Sequence, residues 1–422
     1  MKHRLFLSCF TAILCVLNTN LSAKQFSSGG MYQELQPRSG IPSFIQKLGT
    51  ADTLRIAYLG GSITEAPGWR VYSFEWFKEK FPNLHFEEIA AAIGGTGSEF
   101  GACRLGEQVI SKNPDLVFVE FAVNDNGRLE DKIIQAMEGI VRQIKISNPE
   151  TDICFVYTIQ ENFLKQEREG GVASIKSMET VADHYGIPSI NFGIEVSKRV
   201  QEETLIFTGS QPFLEDVMVF SNDRVHPYLE TGQKIYFEIF KRSFEKLLGS
   251  TSDLSRELPH PLHSDPLVNT STYPVEEIFL EGDWEEVLPS RQPGWEKFAS
   301  FYDKIYVASD ESASLHLKFK GTAVGFADIL GQDSGVIMIE LDGKEQKKVI
   351  RFDAYSNFRR MSYYLINDLE EKEHDLLIRW HPEKIDKASI LKNRNIEINK
   401  SVDYQSQKWY LGKILVNGTI IR

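Results

Sequence analysis

Four short stretches carry residue types that could act together on a substrate. In Leu59-Gly60-Gly61-Ser62-Ile63-Thr64 a serine follows two glycines. A hydroxyl held at a strand-to-helix turn can serve as a nucleophile when a base lies beside it. The glycines let the backbone turn tightly and let a ligand approach closely. This is not the Gly-x-Ser-x-Gly elbow, because Thr64 stands where the second glycine belongs, and taken alone it reads as a structural turn. The second stretch, Ala91-Ala92-Ile93-Gly94-Gly95-Thr96-Gly97-Ser98, could present backbone N–H groups to an anion at a helix start. Three residues separate Gly97 from Gly101 where a dinucleotide fingerprint needs two, and no Walker lysine follows. The third, Phe121-Ala122-Val123-Asn124-Asp125, offers a side-chain amide at a strand end, although an Asn-Asp pair also closes ordinary turns. The fourth is Ser221-Asn222-Asp223-Arg224-Val225-His226-Pro227. A carboxylate three residues before a histidine can hold Nδ1–H and leave Nε2 free to take a proton. A lone Asp-x-x-His is also common in surface loops.

The elements that must position these stretches alternate. Strands are expected at Arg55–Leu59, His85–Ile89, Leu116–Ala122, Ile153–Thr158 and Ser189–Phe192. Helical patterns fall at Trp69–Lys80, Leu105–Ser111, Lys132–Ser147, Ile175–Tyr185 and Thr231–Leu248. Such alternation with short connections predicts an α/β unit over residues 51–250, a three-layer arrangement with a parallel sheet between helices. A polar lead-in, residues 24–50, precedes it, and a Ser-, Thr-, Pro- and His-rich linker, residues 251–274, follows. From residue 275 to 422 helical periodicity gives way to about eight short alternating runs, among them Leu315–Phe319, Ala323–Ala327 and Trp409–Val416. That pattern predicts an all-β sandwich. Because every candidate catalytic residue precedes it, the sandwich is expected to be separable from the chemistry.

Composition bounds the partners. A formal net charge of -12 argues against a broad basic face for nucleic acid. Lys2, His3 and Arg4 before the apolar stretch from Leu5 to Leu17 read as a secretory signal peptide over residues 1–23. This predicts a secreted or periplasmic protein. A lipid anchor on Cys15 is disfavoured, since Ile13-Leu14 lacks the usual small residue. No later segment reaches the ~18–20 apolar residues of a membrane span. Cys103 and Cys154 remain after the signal, as two buried thiols or one disulfide. No metal-ligand spacing appears, and neither metal nor cofactor is expected.

Taken together and in this order, the four stretches resemble the blocks of the SGNH (GDSL-like) hydrolase family. The resemblance spans Leu54 to Leu248 and implies the SGNH three-layer fold. The Gly-Gly-Ser variant, with Gly61 in place of the usual aspartate, is similar to secreted carbohydrate acetylesterases, many of which carry an extra jelly-roll-like β-sandwich. It implies a Ser62–His226–Asp223 triad and an oxyanion hole formed by Ser62, Gly95 and Asn124. The implied activity is removal of O-acetyl groups from an acetylated glycan. An O-acyltransferase, a lipase or lysophospholipase, and an inactive carbohydrate-binding protein are the alternatives.

Weaker features complete the reading. Trp69, Arg70, Gln160 and Glu161 could line a substrate pocket or could equally pack and solvate the fold. Glu120, in an apolar strand, needs a buried partner, for which Arg104 or Arg142 is the candidate. The apolar run from Phe213 to Phe220 is expected beside the acyl pocket. Trp284, Trp295, Trp380 and Trp409 could form a sugar platform or a core.

Overall fold

The computed structural model describes residues 33–168, 171–250, 257–399 and 401–421. The expected signal peptide and Cys15 lie outside them. Strands β1 to β6 span Leu35–Gln36, Thr53–Gly60, His85–Ala92, Leu116–Glu120, Asp152–Tyr157 and Ser189–Asn191. They form one sheet in the order β1-β6-β5-β4-β2-β3, parallel throughout except for the antiparallel edge strand β1. Near-continuous apolar runs such as Leu116–Glu120 suit strands covered on both faces.

Helices α1 to α9 span Pro42–Leu48, Ser62–Glu65, Trp69–Lys80, Ser98–Gln108, Glu130–Ser147, Phe163–Arg168, Ala173–Tyr185, Phe192–Gln201 and Gly232–Leu248. α4, α5 and α7 pack as one group, and α3, α8 and α9 as another. Strand order reverses at β2, with β3 on one side and β4 on the other. The crevice at the C-terminal ends of such strands is where open α/β sheets place their ligands. Three further strands, β7 to β9 (Leu205–Thr208, Phe213–Leu214, Val217–Ser221), form a small separate sheet.

The second domain is one antiparallel ten-stranded sheet curled around its own core. Its strands, β10 to β19, are Thr270–Pro274, Phe279–Glu281, Glu285–Val287, Ile305–Ala308, Ser314–Leu330, Val336–Leu341, Lys344–Ile350, Arg360–Ile366, Lys372–His381 and Trp409–Ile421. The two runs expected at Leu315–Phe319 and Ala323–Ala327 are a single strand, β14. It pairs with β18 in its first half and with β17 in its second, while β19 runs along its other side. Irregularities at Gly321/Ala323 and Ala327/Asp328 in the β14–β19 ladder accompany the bend.

One boundary differs from expectation. Residues 270–274, assigned to the linker, are β10 and pair with β19. Upstream, the N–H groups of Leu262 and His263 donate to Glu138 at 2.6 and 2.7 Å, so this stretch is docked on α5. The second domain also shares a core with the first. Ile93, Phe100 and Cys103 share one buried cluster with Trp295, Phe298, Phe301, Tyr302, Met361 and Tyr410. The Phe100 and Tyr363 rings stack 5.0 Å apart. Arg128 bridges Glu99 (2.7 Å) and the Tyr363 hydroxyl (2.8 Å). The tryptophans make no common platform: Trp409 is buried in the second domain's core and Trp295 in the shared one.

Candidate active site

The serine turn is shaped from below. β2 ends at Gly60, Gly61 caps α2 in extended conformation, and Ser62 is the first residue of that one-turn helix. A Cβ on Gly61 would lie 2.0 Å from Asn124 Oδ1, so with glycine here the Asn124 amide closes directly over the turn. Under the turn, buried Glu120 accepts the hydroxyls of Thr64 (2.8 Å) and Thr158 (2.7 Å) and the Gly61 N–H. Burial pushes its carboxyl upward, against these hydrogen bonds. The expected arginine partner is absent: Arg104 donates to the Ala91 and Gly60 carbonyls, and Arg142 to Tyr185 and the Pro259 carbonyl. Hydroxyls and an amide satisfy Glu120 without placing a cation under the serine.

The small sheet delivers the base. β9 ends at Ser221, which bridges back to Pro227, so residues 222–226 form a closed loop with Arg224 left-handed at φ 74°. Asp223 Oδ1 accepts the N–H groups of Val225 (3.0 Å) and His226 (2.8 Å). Its Oδ2 meets His226 Nδ1 at 2.7 Å, and His226 Nε2 meets Ser62 Oγ at 2.7 Å. Partial burial works to raise the Asp223 carboxyl, but the hydrogen bonds and charge of His226 hold it well below the ordinary range. The carboxylate thus stays ionised wherever the imidazole needs orienting. The run from Phe213 to Phe220 supplies β8 and β9, and Phe220 packs inward against Phe207 and edge-on to Tyr236.

The glycine stretch after β3 forms the opposite wall. The Gly94 N–H donates to Glu65 Oε2 at 3.1 Å, and burial raises that carboxyl. Gly95 is exposed and left-handed at φ 74°. Asn124 comes from the end of β4, beside buried Asp125, which accepts the Ser98 N–H at 3.1 Å. Burial pushes the Asp125 carboxyl up to about 6.

Of the four possible pocket residues, two are structural. Trp69 is fully buried, edge-on to Tyr58, Phe118 and Phe192. Arg70 donates to the Thr64 carbonyl at 2.9 Å and pairs with Glu88, fastening α2 to β3. Glu161 holds the base loop: its N–H donates to the Arg224 carbonyl at 2.9 Å and its carboxylate pairs with Arg224 at 3.4 Å. Gln160, half-buried, precedes it, and its carbonyl accepts the Phe163 N–H at 2.9 Å.

Two residues were not singled out from sequence. Glu65, three residues after Ser62 on the same turn, was detectable from that spacing. Arg360 was not: it arrives from β17, with Nη1 3.7 Å from the position of a Cβ on Gly95.

Cys103 and Cys154 are both buried and unpaired, and burial drives both thiols upward. Among the described residues no three His, Cys, Asp or Glu side chains cluster as a metal site requires. No helix among them is long and apolar enough to cross a membrane.

Residues 58–228 match the family model described as GDSL-like Lipase/Acylhydrolase. No curated relative matches the sequence. Among solved structures, a two-domain esterase active on acetylated mannans, co-crystallised with mannopentaose, superposes with a TM-score of 0.71 at 20% identity, covering 93% of this chain and 99% of that one. A second structure of a two-domain esterase active on acetylated mannans gives 0.69 at 20% identity, covering 91% and 98%. The likeness in fold runs through both domains. The stretch that carries Ser62, Asn124 and His226 is thus the one matched by the GDSL-like lipase/acylhydrolase family model, and the chain is a carboxylic ester hydrolase.

Proposed function

We propose that the protein is a secreted acetylesterase that removes O-acetyl groups from a polysaccharide through Ser62, His226 and Asp223. The observation that carries this reading is the unbroken chain of 2.7 Å contacts from Ser62 Oγ through His226 to Asp223. In the reaction His226 Nε2 takes the Ser62 proton as Oγ attacks the ester carbonyl. The carbonyl electrons move onto oxygen, where the N–H groups of Ser62 and Gly95 and the Asn124 amide receive them. Gly94 is the poorer donor, because its N–H already serves Glu65. The tetrahedral intermediate collapses, the sugar oxygen leaves with the proton from His226, and an acetyl-Ser62 remains. Water, deprotonated by His226, then releases acetate.

If these are the roles, His226→Ala loses more activity than Asp223→Asn. The first removes the base, whereas the second removes only its orientation and the negative charge beside it. Paired measurements of kcat/KM on an aryl acetate check the order. The wild-type value should fall on the acid side, as a mechanism that needs a neutral imidazole base requires. Equal activity at pH 4 and pH 8 would contradict a histidine base.

Acetyl is the acyl group we expect. The Asn124 amide closes over Gly61, and the Glu65 carboxylate stands at Gly94 next to Ser62, so the groups around the nucleophile are polar. A lipase groove would instead add ~0.8 kcal/mol per methylene. We expect kcat/KM for an acetyl ester to exceed that for a butyryl ester by at least about tenfold. A profile rising with chain length would make the protein a lipase.

The glycan assignment rests on the motif resemblance and on a two-domain fold shared with esterases described as active on acetylated mannans. Incubation with acetylated mannan, acetylated xylan and other acetylated glycans, with released acetate assayed, tests it. Acetate from none of them, alongside turnover of aryl acetate, would overturn it. Product analysis with excess acceptor sugar separates hydrolysis from acyl transfer.

A further inference from the structure

Gly95 belongs to the catalytic domain, but the residue covering its outer face does not. Apart from the residues on either side of it, Arg360 Nη1, at 3.7 Å, is the only heavy atom among the described residues within 4 Å of where a Gly95 Cβ would point. The guanidinium is held from its own side: one nitrogen pairs with Asp353, and Nη1 donates to the Met361 carbonyl at 3.4 Å. Its side chain is only 16% exposed, and buried Nε has no hydrogen-bond partner among the described residues. The next residue, Met361, lies in the shared core with Ile93, just ahead of the glycine turn. The arginine is therefore fixed to the same packed body as the loop it covers.

We infer that Arg360 is a positioning residue for the oxyanion loop, supplied by the second domain. Gly95 occupies left-handed backbone on an exposed turn that Glu65 holds at the Gly94 N–H and that Thr96 Oγ1 closes by donating to the Ile93 carbonyl at 2.8 Å. The Arg360 guanidinium stands on the remaining, outer side of Gly95 and limits how far its peptide can swing its N–H away from the carbonyl oxygen. It also brings positive charge toward the place where negative charge develops. The second domain then acts on every acetyl ester, however small, and not only on polymer.

The inference rests on the triad reading, and the test keeps the two apart. Arg360→Ala, Arg360→Lys and Asp353→Asn are compared in the full chain on p-nitrophenyl acetate and on acetylated mannan. Arg360→Ala is expected to lower kcat on the aryl ester about 10- to 100-fold, less than deletion of a whole oxyanion donor. KM should stay within about threefold, the mark of an interaction that acts in the transition state. Asp353→Asn should lose less, Arg360→Lys should recover part of the loss, and mannan deacetylation should fall in parallel.

An aryl-ester kcat within about twofold of wild type would overturn the inference. So would a loss confined to mannan, which would make Arg360 a glycan contact. If Arg360→Ala fails to fold, as judged by thermal unfolding, Arg360→Lys decides: reduced kcat with unchanged KM supports the inference, and wild-type kcat overturns it. Activity surviving in Ser62→Ala would instead defeat the triad reading itself.

Discussion

Ser62→Ala is expected to abolish turnover of aryl acetate, lowering kcat by about 10⁴- to 10⁶-fold. His226 Nε2 meets this hydroxyl at 2.7 Å, and the Asn124 amide closes over the adjacent Gly61. Removing the hydroxyl leaves the oxyanion donors and the base, which can still favour attack by water, so some residual rate is expected. The fold should be unaffected, because the Gly61 N–H, Thr64 and Glu120 that shape the turn are untouched. Kinetics on p-nitrophenyl acetate together with the thermal midpoint check both halves. Retention of more than about a tenth of wild-type kcat would remove Ser62 from the mechanism.

A chain shortened to end near Ser255 keeps every residue of the triad, yet we expect no active, soluble monomer from it. The cut exposes Ile93, Phe100 and Cys103, which are covered by Phe298, Phe301, Met361 and Tyr410. Truncating one buried phenylalanine typically costs ~3–5 kcal/mol, a large share of a domain's ~5–15 kcal/mol stability. Here several such contacts vanish at once, around the residues that lead into the oxyanion loop. Glu99 and Arg128 also lose Asn367 and Tyr363. Size-exclusion chromatography and aryl-ester assay of the shortened chain test this. A monomer with wild-type kcat would show that the shared core has no bearing on the chemistry.

The same interface explains where reading the chain as two consecutive units falls short. Periodicity reports which face of an element is apolar, but not which neighbour covers it. Phe100 in α4 and Met361 in β17 lie far apart along the chain, yet share one buried cluster. β10 was missed because Thr270–Pro274 lacks apolar alternation; it is a strand because β19 offers it an edge. Trp69 could be read as a pocket residue, since its place after the serine turn says nothing about the direction of its side chain.

The residues of the Ser62, Gly95, Asn124 and Asp223–His226 blocks were legible from the sequence alone. Each sits at the end of a strand or beside a helix start, and local spacing fixes its backbone setting. Asp223 and His226 are even joined within one turn. The α/β alternation followed by the all-β region was legible too, because strand and helix periods differ. Only the tertiary structure decided that Glu120 is satisfied by two threonines, that Glu65 engages Gly94, and that Arg360 covers Gly95. These contacts join residues distant in sequence or depend on side-chain direction. Their partners are selected by how the sheet order and the shared core bring surfaces together, a property that no spacing along the chain records.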